Sequence, residues 1–225
     1  MGQKAVIFDL DGTLLDSLAD IADALNRVLA HHGYAPLSIE QCRRRVGWGM
    51  RELVRRSLEE GADDALIDRM TQAVEAEYQR RPVVKTAPYP GVPALIRDMR
   101  DATIKMAVLS NKPDPLVQVI VEQTLGRNWF GRVLGNRPGV AHKPNPQSTR
   151  EILLSLEVQP EECLFVGDSE VDMETARSAG CVPVGVSWGF RDEKTLRQAG
   201  ALQICHSVES LREFVGLQER RREKT

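Results

Sequence analysis

The 225-residue sequence predicts an α/β protein, a parallel sheet covered by helices on both faces, with a small helical bundle inserted after its first strand. Three observations predict it. Short apolar runs recur at 5–8, 105–109, 163–166 and 182–186, the first rich in β-branched and aromatic types, as buried strands are. From Pro90 onward these runs alternate with helical patterns, the rhythm of a parallel sheet. Between the first and second runs, residues 16 to about 82 carry helical periodicity alone, which reads as a bundle.

Size and composition agree. The chain is long enough for a core plus a smaller unit. Hydrophobic residues are 42% and charged residues 28%, as in ordinary globular proteins. A net charge of −2 gives no global field toward nucleic acid or an anionic membrane. No apolar run is long enough to span a bilayer. The first apolar run is too short for a signal peptide, and Cys42, Cys163, Cys181 and Cys205 form no close pair, so a reducing cytoplasm is expected.

The elements follow in order. Residues 5–8 form the first strand. Ser17, with Asp20 three residues on, reads as a capping box before a helix carrying Leu18, Ile21, Leu25 and Val28. Gly33 and Pro36 end it. Ser38 and Gln41 open a short second helix. Met50, Leu53, Val54 and Leu58 mark a third, closed by Gly61. Leu66, Ile67, Met70, Val74 and Tyr78 mark a fourth, ended near Pro82. Val92, Leu95, Ile96 and Met99 give a helix before the strand at 105–109. Pro113 opens the next, with Leu116, Val117, Ile120 and Val121. A weak strand at Val133 and Leu134, a helix with Ile152, Leu153 and Leu156, and the strand at 163–166 follow. A helix from Glu170 to Gly180, the strand at 182–186 and a short strand at 202–204 complete the pattern. The polar stretch 218–225 is expected to fray. This divides the chain into a core of 1–15 and 84–225 and a helical unit of 16–83. Two linkers, 14–16 and roughly 83–90, would let that unit open and close like a lid.

Ligands of open α/β sheets gather beyond the C-terminal strand ends. The first strand delivers Asp9 and Asp11, two apart and so on one side of an extended segment, and then Gly12, which permits a sharp turn. Adjacent carboxylates at a buried strand end are unfavourable unless a cation joins them or one stays protonated. One could attack phosphorus while the other moves a proton. The bland alternative is an acidic turn before a helix. The next strand leads to Ser110 and Asn111, whose hydroxyl and turn amides suit a phosphate oxygen or, equally, a helix cap. Lys143, on a loop stiffened by Pro144 and Pro146, can hold a point charge near a phosphate. Asp168 stands at the third strand tip and Asp172 one helical turn on. Ser169 with Asp172 is also a capping-box pattern. In the helical unit, Gly47 and Gly49 allow close approach to a ligand, Trp48 could exclude water, and Arg51 could hold a carboxylate bidentately. An ordinary turn with a solvated arginine competes with that reading. The run Arg43 to Arg45 is assigned to a solvated helix face, and His142 and Trp188-Gly189-Phe190 receive no role.

Phe8-Asp9-Leu10-Asp11-Gly12-Thr13-Leu14, Ser110, Lys143-Pro-Asn-Pro and Gly167-Asp168-Ser169-x-x-Asp172 resemble, in order, the four motifs of the haloacid dehalogenase-like hydrolases. The likeness runs from residue 4 to about 215 and is closest to the phosphoglycolate phosphatase-like branch with a helical cap. It implies a Rossmann-like parallel sheet core with an inserted, mobile helical-bundle cap. It also implies a Mg²⁺-dependent phosphatase in which Asp9 is the nucleophile, Asp11 the acid and base, and Lys143 a catalytic cation. Gly12, Thr13, Ser110, Asn111 and Lys143 would bind phosphate. Asp9, the Asp11 main-chain carbonyl, Asp168 and Asp172 would hold the metal. The second acid, Asp11, departs from the dehalogenases of this superfamily. A phosphonate-cleaving relative would need a cap lysine, and 43–60 contains none. A sugar phosphomutase and a noncatalytic phosphate-binding protein stay as alternatives; RNA binding through the arginines is disfavoured by net charge. The expected partner is a small phosphorylated metabolite, with no nucleic acid and no membrane, in a monomer or homodimer.

Overall fold

A computed structural model describes residues 3–58 and 60–217. The sequence alternation becomes a six-stranded parallel sheet in the order β5-β4-β1-β6-β7-β8. Its strands are β1 (Ala5–Phe8), β4 (Lys105–Pro113), β5 (Arg132–Asn136), β6 (Cys163–Gly167), β7 (Val182–Val186) and β8 (Gln203–Cys205). β1 lies at the centre, flanked in register by β4 and β6, with Phe8 beside Val108 and Val166. All four β1 residues are buried, which is why this strand reads as a continuous apolar run rather than an alternating one. Its position brings Asp9 between the tips of two other strands.

Helices α5 (Val92–Asp101), α6 (Asp114–Thr124), α7 (Gln147–Leu156), α8 (Glu170–Ala179), α9 (Glu193–Gln198) and α10 (Val208–Phe214) accompany the sheet. One core layer joins Val6, Phe8, Val108 and Val166 to α5, α6 and α10, and the other joins Ile7, Ala107 and Phe165 to α7 and α8. Alternate residues of each strand therefore serve opposite faces. Among the described residues no helix is long and apolar enough to cross a membrane. The segment 218–225, expected to fray, lies outside the described residues.

Between β1 and α5 the chain forms α1 (Leu18–His31), α2 (Ile39–Arg43), α3 (Met50–Arg55) and α4 (Asp64–Arg80). These helices pack through Ile21, Leu25, Leu53, Met70 and Val74, all buried in the same cluster as one face of the sheet. The two linkers pair with each other. Leu15–Asp16 (β2) and Ala87–Pro88 (β3) form a two-stranded antiparallel ribbon, a feature too short for periodicity to reveal.

The expected Ser17–Asp20 capping box does not form. Ser17 precedes α1 without a side-chain cap. Its hydroxyl donates instead to Asp11 Oδ1 at 2.5 Å. Asp20 is buried and accepts from the Val84, Lys85 and Thr86 amides and the Thr86 hydroxyl at 2.7–3.0 Å through Oδ2. Burial disfavours its charge, but these donors outweigh burial and hold its pKa below the usual carboxylate value. A local capping signal was redirected by two nonlocal partners: Asp11 took the hydroxyl and the returning linker took the carboxylate. The capping box at Ser38 and Gln41 forms as expected.

Candidate active site

Asp9 leaves β1 with its N–H donated to the Val166 carbonyl at 2.9 Å, fixing it beside the tip of β6. The residue is 7% exposed. Asp168, at the end of β6, and Asp172, in the first turn of α8, face it. One carboxylate oxygen from each of the three lies within 4.8 Å of the others. Lys143 reaches in from the loop before α7. Its Nζ donates to Asp9 Oδ1 at 2.7 Å, Asp172 Oδ1 at 2.7 Å and the Leu109 carbonyl at 3.0 Å, which occupies all three of its N–H bonds. Asp172 also accepts through Oδ2 from the Ser169 N–H and hydroxyl, so it caps α8 and faces the cluster at once. Asp168 Oδ2 accepts from the Phe190 N–H at 2.6 Å.

Burial, opposed by Lys143 and reinforced by Asp172, pushes the Asp9 carboxyl up to about 7. Asp168 is raised well above its ordinary value by burial and by the repulsion of Asp9 and Asp172. Burial works against the Lys143 ammonium, but Asp172 and Asp9 outweigh it and hold its pKa above the ordinary lysine value. Lys143 pairs with Asp9 and Asp172 while Asp168 crowds against both, so the group gathers a surplus of carboxyl groups over cations. An all-oxygen donor set with such a surplus fits a hard divalent cation such as Mg²⁺.

Gly12 makes this cluster possible. Its φ of +87° lies in the left-handed region, and a Cβ there would stand 2.2 Å from Asp168 Oδ2. Thr13 is buried with its Oγ1 unpartnered and its carbonyl accepting from Trp188 Nε1 at 3.1 Å. Trp188, Gly189 and Phe190 therefore brace the turn and Asp168. Sequence reasoning gave them no role, because their signal, a loop following a strand at the site's edge, resembles any βα loop.

β4 departs from regular pairing between Leu109 and Pro113, and this irregularity presents Ser110, Asn111 and Lys112 at the sheet's edge. The N-cap of α6 is Pro113, so neither Ser110 nor Asn111 caps that helix. The Asn111 side chain is occupied. It accepts from the Lys143 N–H at 2.9 Å and donates to the Lys143 and Gly47 carbonyls at 3.1 and 3.2 Å. It clips the lysine loop and the helical unit's loop to the strand tip.

Lys112 was passed over in the sequence and proves central. Its side chain is 3% exposed and its Nζ donates to Asp11 Oδ1 at 2.7 Å and Tyr78 Oη at 2.8 Å. The ammonium also lies 4.5 Å from the Tyr78 ring centroid. Burial disfavours its charge, but Asp11 and the Tyr78 hydroxyl hold its pKa above the ordinary value. Nothing in the local pattern Ser-Asn-Lys-Pro distinguishes it from a solvated lysine; the partners arrive from 34 and 101 residues away.

Asp9, Asp11, Ser110, Asn111 and Lys112 floor a cavity of about 50 Å³. Its roof is Ile21, Val46, Met50 and Leu53 with Gly47 and Gly49, all from the helical unit. Gly49, at φ +90°, passes His142 so closely that a Cβ would meet its Nδ1 at 3.1 Å. Trp48 and Arg51 do not line this cavity. Trp48 Nε1 donates to Glu170 Oε1 at 3.2 Å. Arg51 is half exposed and pairs with Asp64 at 2.5 Å and Asp68 at 2.7 Å along α4. Two acids within its own unit satisfy it there. Arg191, from the loop after β7, donates to the Arg43 and Val46 carbonyls and to Glu170, and Arg43 donates to the Gly189 carbonyl. Arg43 is therefore a contact between sheet and roof, not part of a solvated face.

A family model described as haloacid dehalogenase-like hydrolase matches residues 6–186. The chain belongs to the haloacid dehalogenase-like hydrolases. Among its relatives within them is the phosphoglycolate phosphatase of Pseudomonas putida, 35% identical over 191 residues, 83% of this chain and 70% of that one. That of Rhodospirillum rubrum is 34% identical over 220 residues, 95% and 91% of the two chains. A solved structure from Lactobacillus delbrueckii subsp. bulgaricus superposes with a TM-score of 0.89 at 32% identity, covering 97% of this chain and 100% of that one. The resemblance read from four short motifs thus extends over the whole fold, and it places this hydrolase in the phosphoglycolate phosphatase-like branch.

Proposed function

We propose that the protein is a Mg²⁺-dependent phosphatase that hydrolyses a small phosphorylated metabolite of phosphoglycolate type through an aspartyl-phosphate at Asp9. The observation that carries this reading is the buried group Asp9, Asp168 and Asp172 with Lys143 between them, set at the C-terminal edge of a parallel sheet. Asp9, Asp168 and the Asp11 main-chain carbonyl would hold the metal, with Asp172 behind them. The cation supplies the positive charge that lets a phosphate dianion approach two carboxylates. Asp9 attacks phosphorus. Asp11, steered by Ser17 and Lys112, gives a proton to the leaving oxygen and then takes one from the water that frees the phosphoryl group. Ser110, the turn at Gly12 and Thr13, and Lys143 stabilise the phosphoryl oxygens. Residues 16–83 act as a cap that closes over the reacting groups, its loop at 43–48 held to the core by Arg191.

The roof side chains Ile21, Val46, Met50 and Leu53 lie over Asp9, Asp11 and Lys112, so a leaving group meets a largely apolar ceiling there. Phosphate release from 2-phosphoglycolate with Mg²⁺, lost with chelator and lost in Asp9→Asn, is the expected result. Near-normal turnover by Asp9→Asn would remove the assignment of the nucleophile.

A further inference from the structure

We propose that Lys112 reads the leaving group: the substrate's carboxylate, on the carbon next to the ester oxygen, seats against the Lys112 ammonium, which Tyr78 of the helical unit holds in place. This rests on the phosphatase reading above and names the residue that discriminates among its esters.

Four observations lead there. Lys112 is the one cationic side chain lining the cavity among the described residues. Lys143 has all three N–H bonds committed to Asp9, Asp172 and Leu109, whereas two of the three on Lys112 are committed, to Asp11 and Tyr78. Asp11 Oδ1 accepts from the Ser17 hydroxyl as well, so Lys112 is not its sole donor among the described residues. The roof side chains opposite, Ile21, Val46, Met50 and Leu53, are apolar, so Lys112 is the side chain there that offers a carboxylate an opposite charge.

The geometry also fits. A proton donor must come within about 3 Å of the oxygen it serves. Lys112 Nζ lies 2.7 Å from Asp11 Oδ1, the carboxyl assigned to protonate the leaving oxygen. An ester oxygen served by Asp11 would lie close to that ammonium, within reach of a carboxylate one carbon away. Tyr78 belongs to the last turns of α4, so its hydroxyl and ring fix the cation from the helical unit while the lysine's backbone stays in the sheet. The ammonium is thus held between Asp11 at the strand end and Tyr78 of α4. Arg51, the sequence's own candidate for this task, is engaged with Asp64 and Asp68 instead.

The test compares 2-phosphoglycolate with ethyl phosphate, which has a similar skeleton without the carboxylate, in wild type, Lys112→Met and Tyr78→Phe with Mg²⁺. A charge-assisted hydrogen bond predicts a wild-type preference in kcat/KM of about tenfold or more for 2-phosphoglycolate. Lys112→Met should erase that preference, with the larger part of the selective loss in KM for 2-phosphoglycolate. Tyr78→Phe should reduce it severalfold while keeping the charge. Equal losses on both esters would overturn the proposal, since Lys112 would then act only through Asp11. Wild-type hydrolysis of both esters without preference would also overturn it, whether or not the variants fold, and would leave the phosphatase reading intact. Hydrolysis of neither ester would remove both.

Discussion

Consider the cluster of Asp9, Asp168 and Asp172 without any divalent cation, taken from about pH 5.5 to about pH 8. Asp9 has a folded pKa of about 7 against an ordinary value of 3.8. Between those values the folded protein binds more protons than the unfolded chain. An acid raised in this way contributes stability that is complete below the unfolded value and is lost as pH rises through the folded one. The slope is about 1.4 kcal/mol per pH unit, so the rise from pH 5.5 to 7 costs about 2 kcal/mol through Asp9 alone. Asp168 is raised in the same direction and adds to the loss. For a chain of this length about 2 kcal/mol corresponds to a fall in Tm of roughly 4–8 °C. Differential scanning fluorimetry in chelator, on wild type and Asp9→Asn side by side, isolates the contribution of Asp9. The wild type should lose Tm more steeply, and millimolar Mg²⁺ at the upper pH should restore it. Equal slopes for the two proteins, or a wild type that gains stability across this range, would refute the reasoning.

Lys143→Met leaves Asp9 and Asp172 buried without their shared cation; urea unfolding at neutral pH should show a loss of about 3–5 kcal/mol, smaller at acid pH where the carboxylates take up protons. Gly12→Ala sets a Cβ against Asp168 at φ +87°; it should cost about 1–3 kcal/mol in backbone strain and weaken Mg²⁺ binding in a calorimetric titration. Arg191→Ala removes the donors to the Arg43 and Val46 carbonyls; amide hydrogen exchange at 43–48 should accelerate by about tenfold or more while β1 and β6 keep their protection.

The sheet was legible because its strands are buried on both faces and stand out as apolar runs. The acids were legible because carboxylates gathered at buried strand tips are costly without a purpose. What escaped the sequence shares one physical character, namely partners that are distant along the chain. Lys112 meets Tyr78 and Asp11 only through the fold. Ser17 and Asp20 carry a sound capping pattern, yet a carboxylate and a returning linker offer their side chains better hydrogen bonds than the helix end does. Arg51 met the requirements of chemistry at a plausible loop, and Asp64 and Asp68 on the neighbouring helix claimed it. The short ribbon of β2 and β3 has two residues per strand, below anything a period-two pattern can display.

That ribbon has a consequence for how such a molecule diversifies. The chain leaves the sheet along β2 and returns along β3, one strand spacing away, about 5 Å. A segment whose two ends are neighbours can be exchanged for another of different length or shape without reordering the six parallel strands. The strand tips with their carboxylates and the overlying roof are therefore separable pieces of chain, joined through this ribbon and the contacts across the cavity.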